Sequence, residues 1–268
     1  MNYKEIFEKL WIDYVNTNPH AKKVYDLFVA EGEEVVNDHI AFRTFNDKRI
    51  NIDVLSTLFL KSGYAEKGDY RFESKHLYAK HFEHITDKDA PRVFISELIL
   101  EDFSVDFQQI IKTEIDKIAI DKLSSEILIF SGNLWGKPSF KTYELLRKES
   151  EYAAWLYVYG FCANHFTVSV TDLKKLDSIE KVNLFLKDNG FLLNDVDGEI
   201  KGSAEELLEQ SSIKSGIIKI EFIEGAFEIP SCYYEFAKRY KDNNGELYSG
   251  FIAKSADKIF ESTNFYTS

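Results

Sequence analysis

The sequence predicts an α+β fold in which a strand, a helix and three further strands form one module and a second module repeats that order, with added helices. Three observations predict it. Runs at 38–45 and 165–170 alternate polar and apolar residues, and each opens on an Asn-(Asp)-His string. Each run is followed by a helical pattern that stops at a glycine, Gly63 in the first case and Gly190 in the second. Strand-like runs follow both helices, and two helical stretches with a loop between them separate the two series. The division is a helical lead-in at 1–36, a first βαβββ-like module at 37–100, a helical connector at 101–160 and a second module at 161–268.

The elements follow in chain order. Ile6, Leu10, Trp11 and Tyr14 fall at helical spacing. Asn18-Pro19 breaks that helix and starts another, with Val24, Leu27 and Phe28 carrying the pattern to about Val36. After the strand at 38–45, Ile52, Leu55, Leu58 and Phe59 predict a helix over 52–62. Runs 64–72 and 75–84 read as a hairpin, and 91–100 as a further strand. Residues 102–118 and 140–158 read as helices, with Gly132, Gly136 and Pro138 in the loop between them. In the second module a helix over 178–188 precedes strands at 191–194 and 199–202, an acidic helix at 204–210, and strands at 216–223 and 231–239.

Composition excludes several function classes. A hydrophobic fraction of 44% with 29% charged residues fits a folded globular chain of 268 residues. A net charge of −12 argues against general affinity for nucleic-acid phosphates or anionic membranes. Two cysteines, Cys162 and Cys232, without a CxxC string argue against a disulfide framework. No apolar run is long enough for a membrane span, the N-terminus lacks an apolar signal core, and the expected location is the cytoplasm.

Chemistry-bearing residues gather on the two His-bearing strands. His39, Ala41 and Arg43 share one face of the first, and His165, Thr167 and Ser169 one face of the second. Two histidines at matching places need a third ligand to hold a divalent metal with open positions. Glu235 lies in an apolar strand among Tyr233, Tyr234 and Phe236, where a carboxylate is costly unless paired or metal-bound. Two imidazoles and one carboxylate suit a non-haem Fe(II) site, and zinc accepts the same set. Taken singly, a strand histidine is more often structural; the repeat is what favours ligation. Glu97, Glu221, Glu224, His76, His81 and His84 are competitors, Glu97 as a fourth ligand if each half supplied a carboxylate, and His20 is expected to be exposed. Arg43 suits a substrate carboxylate through a two-pronged contact; its bland reading is a salt bridge.

The strings His39-Ile40-Ala41-Phe42-Arg43, Asn164-His165-Phe166-Thr167, Tyr233-Tyr234-Glu235-Phe236 and Ser255-Ala256-Asp257-Lys258-Ile259-Phe260-Glu261-Ser262-Thr263 together resemble the DUF1338 family, which includes the 2-oxoadipate dioxygenase/decarboxylases. The resemblance runs from about residue 20 onward. It implies paired modules of the vicinal oxygen chelate type forming a curved mixed sheet around a metal site. It implies Fe(II) on His39, His165 and Glu235, a substrate carboxylate on Arg43, and a pocket-closing segment near Ala253-Lys254-Ser255, with Lys254 and Ser255 binding substrate. The implied reaction takes a 2-oxo acid and O₂, releases CO₂ and hydroxylates the remainder; 2-oxoadipate would give 2-hydroxyglutarate. The chain lacks insertions that help form the pocket in larger members. Two other readings are a zinc or other divalent-metal lyase, isomerase or hydrolase on the same scaffold, and a protein that binds a small acid without chemistry. Phe42, Phe166, Tyr233, Tyr234 and Phe236 are expected to line or back the site.

Overall fold

The structure is a computed structural model, and it describes residues 1–123 and 127–252. Helix α1 (Tyr3–Thr17) starts at a reciprocal cap between Asn2 and Glu5, and it buries Ile6, Phe7, Leu10 and Tyr14. Pro19 opens α2 (Pro19–Ala30), as expected, because its missing N–H falls where a helix has no partner to offer. The helix ends earlier than the apolar pattern suggested. Gly32 turns the chain at φ +85°, and Glu33 accepts backbone N–H bonds from Lys174, Lys175 and Leu176 at 2.8, 2.7 and 2.9 Å.

The first module is β1 (Asn37–Phe45), α3 (Ile52–Lys61), β2 (Tyr64–Phe72), β3 (Leu77–His84) and β4 (Arg92–Leu98). Gly63 follows α3 at φ +103°, a conformation that a side chain disfavours and a helix stop requires. The connector holds α4 (Val105–Ile115), the short α5 (Ile120–Leu123), α6 (Phe140–Glu149) and α7 (Glu151–Tyr159). The expected single helix at 140–158 is thus two, because extended Ser150 breaks it and caps α7 by accepting the Ala153 N–H. The second module is β5 (Ala163–Ser169), α8 (Ile179–Asp188), β6 (Lys201–Ser203), β7 (Leu208–Ser212) and, after an inserted hairpin of β8 (Ile217–Phe222) and β9 (Gly225–Pro230), β10 (Glu235–Arg239).

One curled sheet of eight strands runs in the order β2-β3-β4-β1-β5-β10-β7-β6. Each module contributes four strands in mirrored order, with its first strand parallel to its last. The modules meet at antiparallel β1 and β5, where His39 faces Thr167 and Ala41 faces His165. That register is unchanged when the modules are exchanged, so a pseudo-twofold axis passes beside the Ile40–Phe166 pair. One face of the sheet packs on the helices: Phe42 against Phe59 of α3, Phe166 against Trp11 of α1, Phe236 against Phe28 of α2. The opposite face carries the polar residues of β1, β5 and β10.

Two expectations for the second module fail. The acidic 204–210 segment is not a helix; it turns at Leu207 (φ +65°) and enters β7. Local propensity favours a helix there, but pairing with both β6 and β10 overrides it. The run at 191–194 makes only an isolated bridge from Leu193 to Ile213, and β8 leaves the main sheet to pair with β9, a strand the pattern did not reveal.

Candidate active site and metal centre

Strand pairing alone assembles the site. His39 of β1, Thr167 of β5 and Glu235 of β10 lie in one row across three neighbouring strands, and His165 sits one row along, next to Ala41. Ligand atoms of His39, His165 and Glu235 all lie within 4.8 Å of one another, and all three side chains are buried. His165 Nε2 is 3.2 Å from one Glu235 oxygen, and His39 Nε2 is 3.6 Å from the other.

The hydrogen bonds on the far side of each ring decide what these contacts are. His39 Nδ1 is 2.7 Å from the Asp38 carboxylate, which can only accept, so Nδ1 carries the proton. His165 Nδ1 is 2.9 Å from Asn164 Oδ1, with the same consequence. In their neutral forms both imidazoles therefore aim the Nε2 lone pair at an acidic oxygen. Burial lowers the His165 pKa, which keeps it neutral, and Glu235 works against that. Burial would raise the Glu235 carboxyl, and it is held low when an imidazole beside it carries a second proton, a role that a bound cation would take over. Three acceptors facing one another in a buried site is what a cation reconciles, and the group can hold a metal ion. The Gln210 amide donates to Glu235 Oε1 at 2.5 Å, and Thr167 Oγ1 lies 3.1 Å from His39 Nε2.

A β-bulge sets up each orienting contact. Strict alternation would turn Asp38 away from His39 and Asn164 away from His165. Instead the β1–β5 register shifts between Asn37 and His39 and again between Ala41 and Phe42, which leaves Asp38 and Asn164 as the extra residues. The two bulges are related by the same pseudo-twofold axis. The repeated string showed that these residues precede the histidines; it did not show the bulges, so their role was missed.

Arg43 is on the same face as His39, two pleats away, and only 3% exposed. Its guanidinium carbon lies 4.9 Å from the Tyr152 ring and 5.1 Å from the Trp155 ring, both on α7. Tyr152 is itself fixed, donating to the Ser96 carbonyl at 2.7 Å and accepting the Thr44 N–H at 2.9 Å. Yet Arg43 Nε and Nη1 make no hydrogen bond among the described residues, and neither does the Tyr233 hydroxyl. The salt bridge of the bland reading is not found among the described residues. The Tyr233 ring stacks on His165 at 4.6 Å, and its phenol, raised by burial, feels the Arg43 charge.

The other sequence candidates are placed elsewhere. Glu97 is on the helix-facing side, where it accepts the Ile52 N–H and caps α3. Its module's counterpart of Glu235 is Phe94, which pairs with Ala41 as Glu235 pairs with Thr167. His76 is exposed and pairs with Asp102; His81 bonds Tyr70 and Glu83; His84 accepts the Asp87 N–H. Glu224 caps α6, its pKa lowered to about 2 by bonds from Ser139 and the α6 backbone, and Glu221 lies in the inserted hairpin. His20 is not exposed as expected: Nε2 lies 2.5 Å from the Cys232 carbonyl. Of the expected aromatics, Tyr233 lines the site, while Phe42, Phe166 and Phe236 back it. Lys254 and Ser255 lie outside the described residues.

Fold and site together define the class: a protein of the vicinal oxygen chelate type, two paired βαβββ modules enclosing a buried His-His-Glu group able to hold a metal ion. The particular family follows from comparison. The chain matches the 2-oxoadipate dioxygenase/decarboxylase family over residues 6–128 and 128–246, and it belongs to that family. It is 37% identical to the chloroplastic/amyloplastic 2-oxoadipate dioxygenase/decarboxylase of Oryza sativa, over 94% of this chain and 76% of the relative. The crystal structure of an Oryza sativa hydroxyglutarate synthase in complex with 2-oxoadipate superposes with a TM-score of 0.91 at 34% identity, covering 98% of this chain and 92% of that one. A Shewanella frigidimarina structure described as a hydrolase gives a TM-score of 0.87 at 48% identity, covering 93% and 97%.

Proposed function

We propose that the protein is an Fe(II)-dependent dioxygenase/decarboxylase that converts 2-oxoadipate and O₂ to 2-hydroxyglutarate and CO₂. The reading is carried by one observation: a buried triad of acceptors shares one face of the sheet with a buried arginine whose Nε and Nη1 have no partner among the described residues. The donor set fits Fe(II), since two imidazole nitrogens and a carboxylate leave several positions free. Bound iron would supply a template for the 1-carboxylate and 2-keto oxygens and the redox chemistry with O₂.

This chain's residues do the rest. His39, His165 and Glu235 would hold the metal. Asp38 and Asn164 keep the Nδ1 protons and so leave both Nε2 atoms free to ligate. Gln210 fixes the carboxylate. The Arg43 fork would receive the far carboxylate, with the Tyr233 hydroxyl as a second donor beside it. Tyr152 and Trp155 hold the guanidinium in place before substrate arrives. The reaction balances without an added reductant, because O₂ divides between the new carboxylate and the new hydroxyl.

The partners are therefore a 2-oxo dicarboxylic acid and O₂. No helix among the described residues is long and apolar enough to cross a membrane. We also place the protein in a reducing compartment such as the cytoplasm, on its two unpaired cysteines. The test is O₂ consumption after anaerobic Fe(II) loading, with ¹⁸O₂ and product identification. The expected result is 2-hydroxyglutarate carrying both labelled oxygens, with matching CO₂. Turnover with Zn²⁺ and no O₂ uptake would overturn the redox reading in favour of a non-redox metal enzyme.

A further inference from the structure

The segment 248–251 and the metal ligand His39 are held by one buried side chain. Arg239, at the end of β10, is 3% exposed. Its Nε and Nη2 donate to the two oxygens of Asp38 at 2.6 and 2.9 Å, and Asp38 in turn receives the His39 Nδ1 proton. Its remaining nitrogen, Nη1, donates to the carbonyls of Tyr248 and Gly250 at 3.0 and 2.8 Å. The residue that follows, Phe251, stands edge-on to the His39 ring at 4.8 Å and lies 5.2 Å from the guanidinium carbon. Its ring also meets Phe94 at 4.9 Å, and its N–H donates to the Tyr70 hydroxyl at 3.1 Å. A guanidinium is planar, so the carbonyls that fix one edge fix the orientation of the other edge. The segment thus sets the plane of Asp38 and, through it, of the imidazole.

We propose that Arg239 is a positioning residue that couples docking of residues 248–251 to metal binding at His39. Docking of Phe251 then covers the site only when the ligand ring is in its metal-holding orientation. The inference rests on the metal reading above. Coupling between two events is reciprocal, so the factor by which docking tightens metal is the factor by which metal tightens docking.

The experiment uses the full chain with Zn²⁺ alone as the probe. It measures Zn²⁺ affinity by chelator competition and amide exchange across 246–252, for wild type, Arg239→Lys and Phe251→Ala. Zn²⁺ is expected to slow exchange of this segment in wild type by about tenfold, the lower end of what outer-sphere contacts contribute to metal affinity. Arg239→Lys is expected to weaken Zn²⁺ about tenfold and to abolish the metal response of the segment, with exchange elsewhere unchanged. Segment exchange that ignores Zn²⁺ in wild type overturns the coupling. So does a full metal response in Arg239→Lys, which would leave Arg239 acting on His39 alone. Should Arg239→Lys fail to fold, Phe251→Ala decides from the other end: weaker Zn²⁺ with a lost response supports the coupling, and wild-type affinity overturns it. A wild type that binds no Zn²⁺ defeats the metal reading itself, so the two failures are distinguishable.

Discussion

Arg43→Met separates a substrate-binding arginine from a structural one. Arg43 is a buried charge held by two aromatic rings, and two of its nitrogens find no partner among the described residues. Removing a buried charge relieves its desolvation cost, on the scale of the about 1–4 kcal/mol gained at most when a buried ion pair gives way to apolar side chains. Losing the two ring contacts costs about 0.5–2 kcal/mol each. The two effects nearly cancel, so the apoprotein should stay within about 1 kcal/mol of wild type, or about 2–4 °C in Tm for a chain of this size. Substrate binding should respond very differently. Two charge-assisted hydrogen bonds of about 1.5–3 kcal/mol each are lost, which is at least about a hundredfold in affinity. The assay pairs thermal unfolding of the apoprotein with titration of 2-oxoadipate into the Zn²⁺-loaded form. A fall in Tm beyond about 8 °C with substrate affinity intact would refute the reasoning, because it would make Arg43 part of the fold's own bonding.

His165→Ala removes one of the three proposed ligands and should leave no tightly held metal after dialysis; wild-type metal content in that variant would sink the site assignment. Phe94→Glu places a carboxylate at the pseudo-twofold counterpart of Glu235, so it should tighten Zn²⁺ and abolish turnover by closing an open position; retained turnover would show that Phe94 does not face the open side. Glu33→Gln should cost roughly 1–2 kcal/mol at neutral pH by weakening the bonds to Lys174, Lys175 and Leu176. Burial would raise the Glu33 carboxyl, but those three N–H groups lower it below 4.5 in the folded state, so the unfolded chain takes up the proton first. The wild-type advantage is therefore full above pH 4.5 and shrinks as pH falls below it, which denaturant melts of both proteins at several pH values would reveal.

Much of the first module was legible because its signals are local. Alternation in β1, the apolar stripe of α3 and the glycine after it depend on neighbours in sequence, and they placed His39 and Arg43 on one face correctly. The second module obeyed less. Residues 204–210 carry helix formers, yet Gln210 is needed in a strand to reach Glu235, and that demand comes from β10, 25 residues away. The two histidines of the candidate metal group were legible from the repeat of a His-bearing strand, and Glu235 from the apolar residues around it. Their supports were not: Asp38 and Asn164 act through bulges that no periodicity encodes, and Arg239 acts through a carboxylate 201 positions earlier.

The pseudo-twofold axis also accounts for how the proposed metal site would keep an open side. Symmetry would give two histidines, two carboxylates and two arginines around one point. The chain keeps both histidines, because each module must supply one ligand for the joint site to exist. It keeps one carboxylate, Glu235, and puts Phe94 at the matching place. It keeps one arginine, Arg43, and puts Ser169 opposite. A fully symmetric set of four ligands would close a tetrahedral zinc site and would leave six-coordinate iron only two positions, too few for a chelating substrate and O₂ together. With no carboxylate from the first module, a metal held by the other three would be open on that module's side, where Phe94 meets Phe251. A single arginine, on one side, would give a dicarboxylate one way to lie. On the proposed reading, the asymmetry between two otherwise equivalent halves is what would let a duplicated fold bind a substrate directionally.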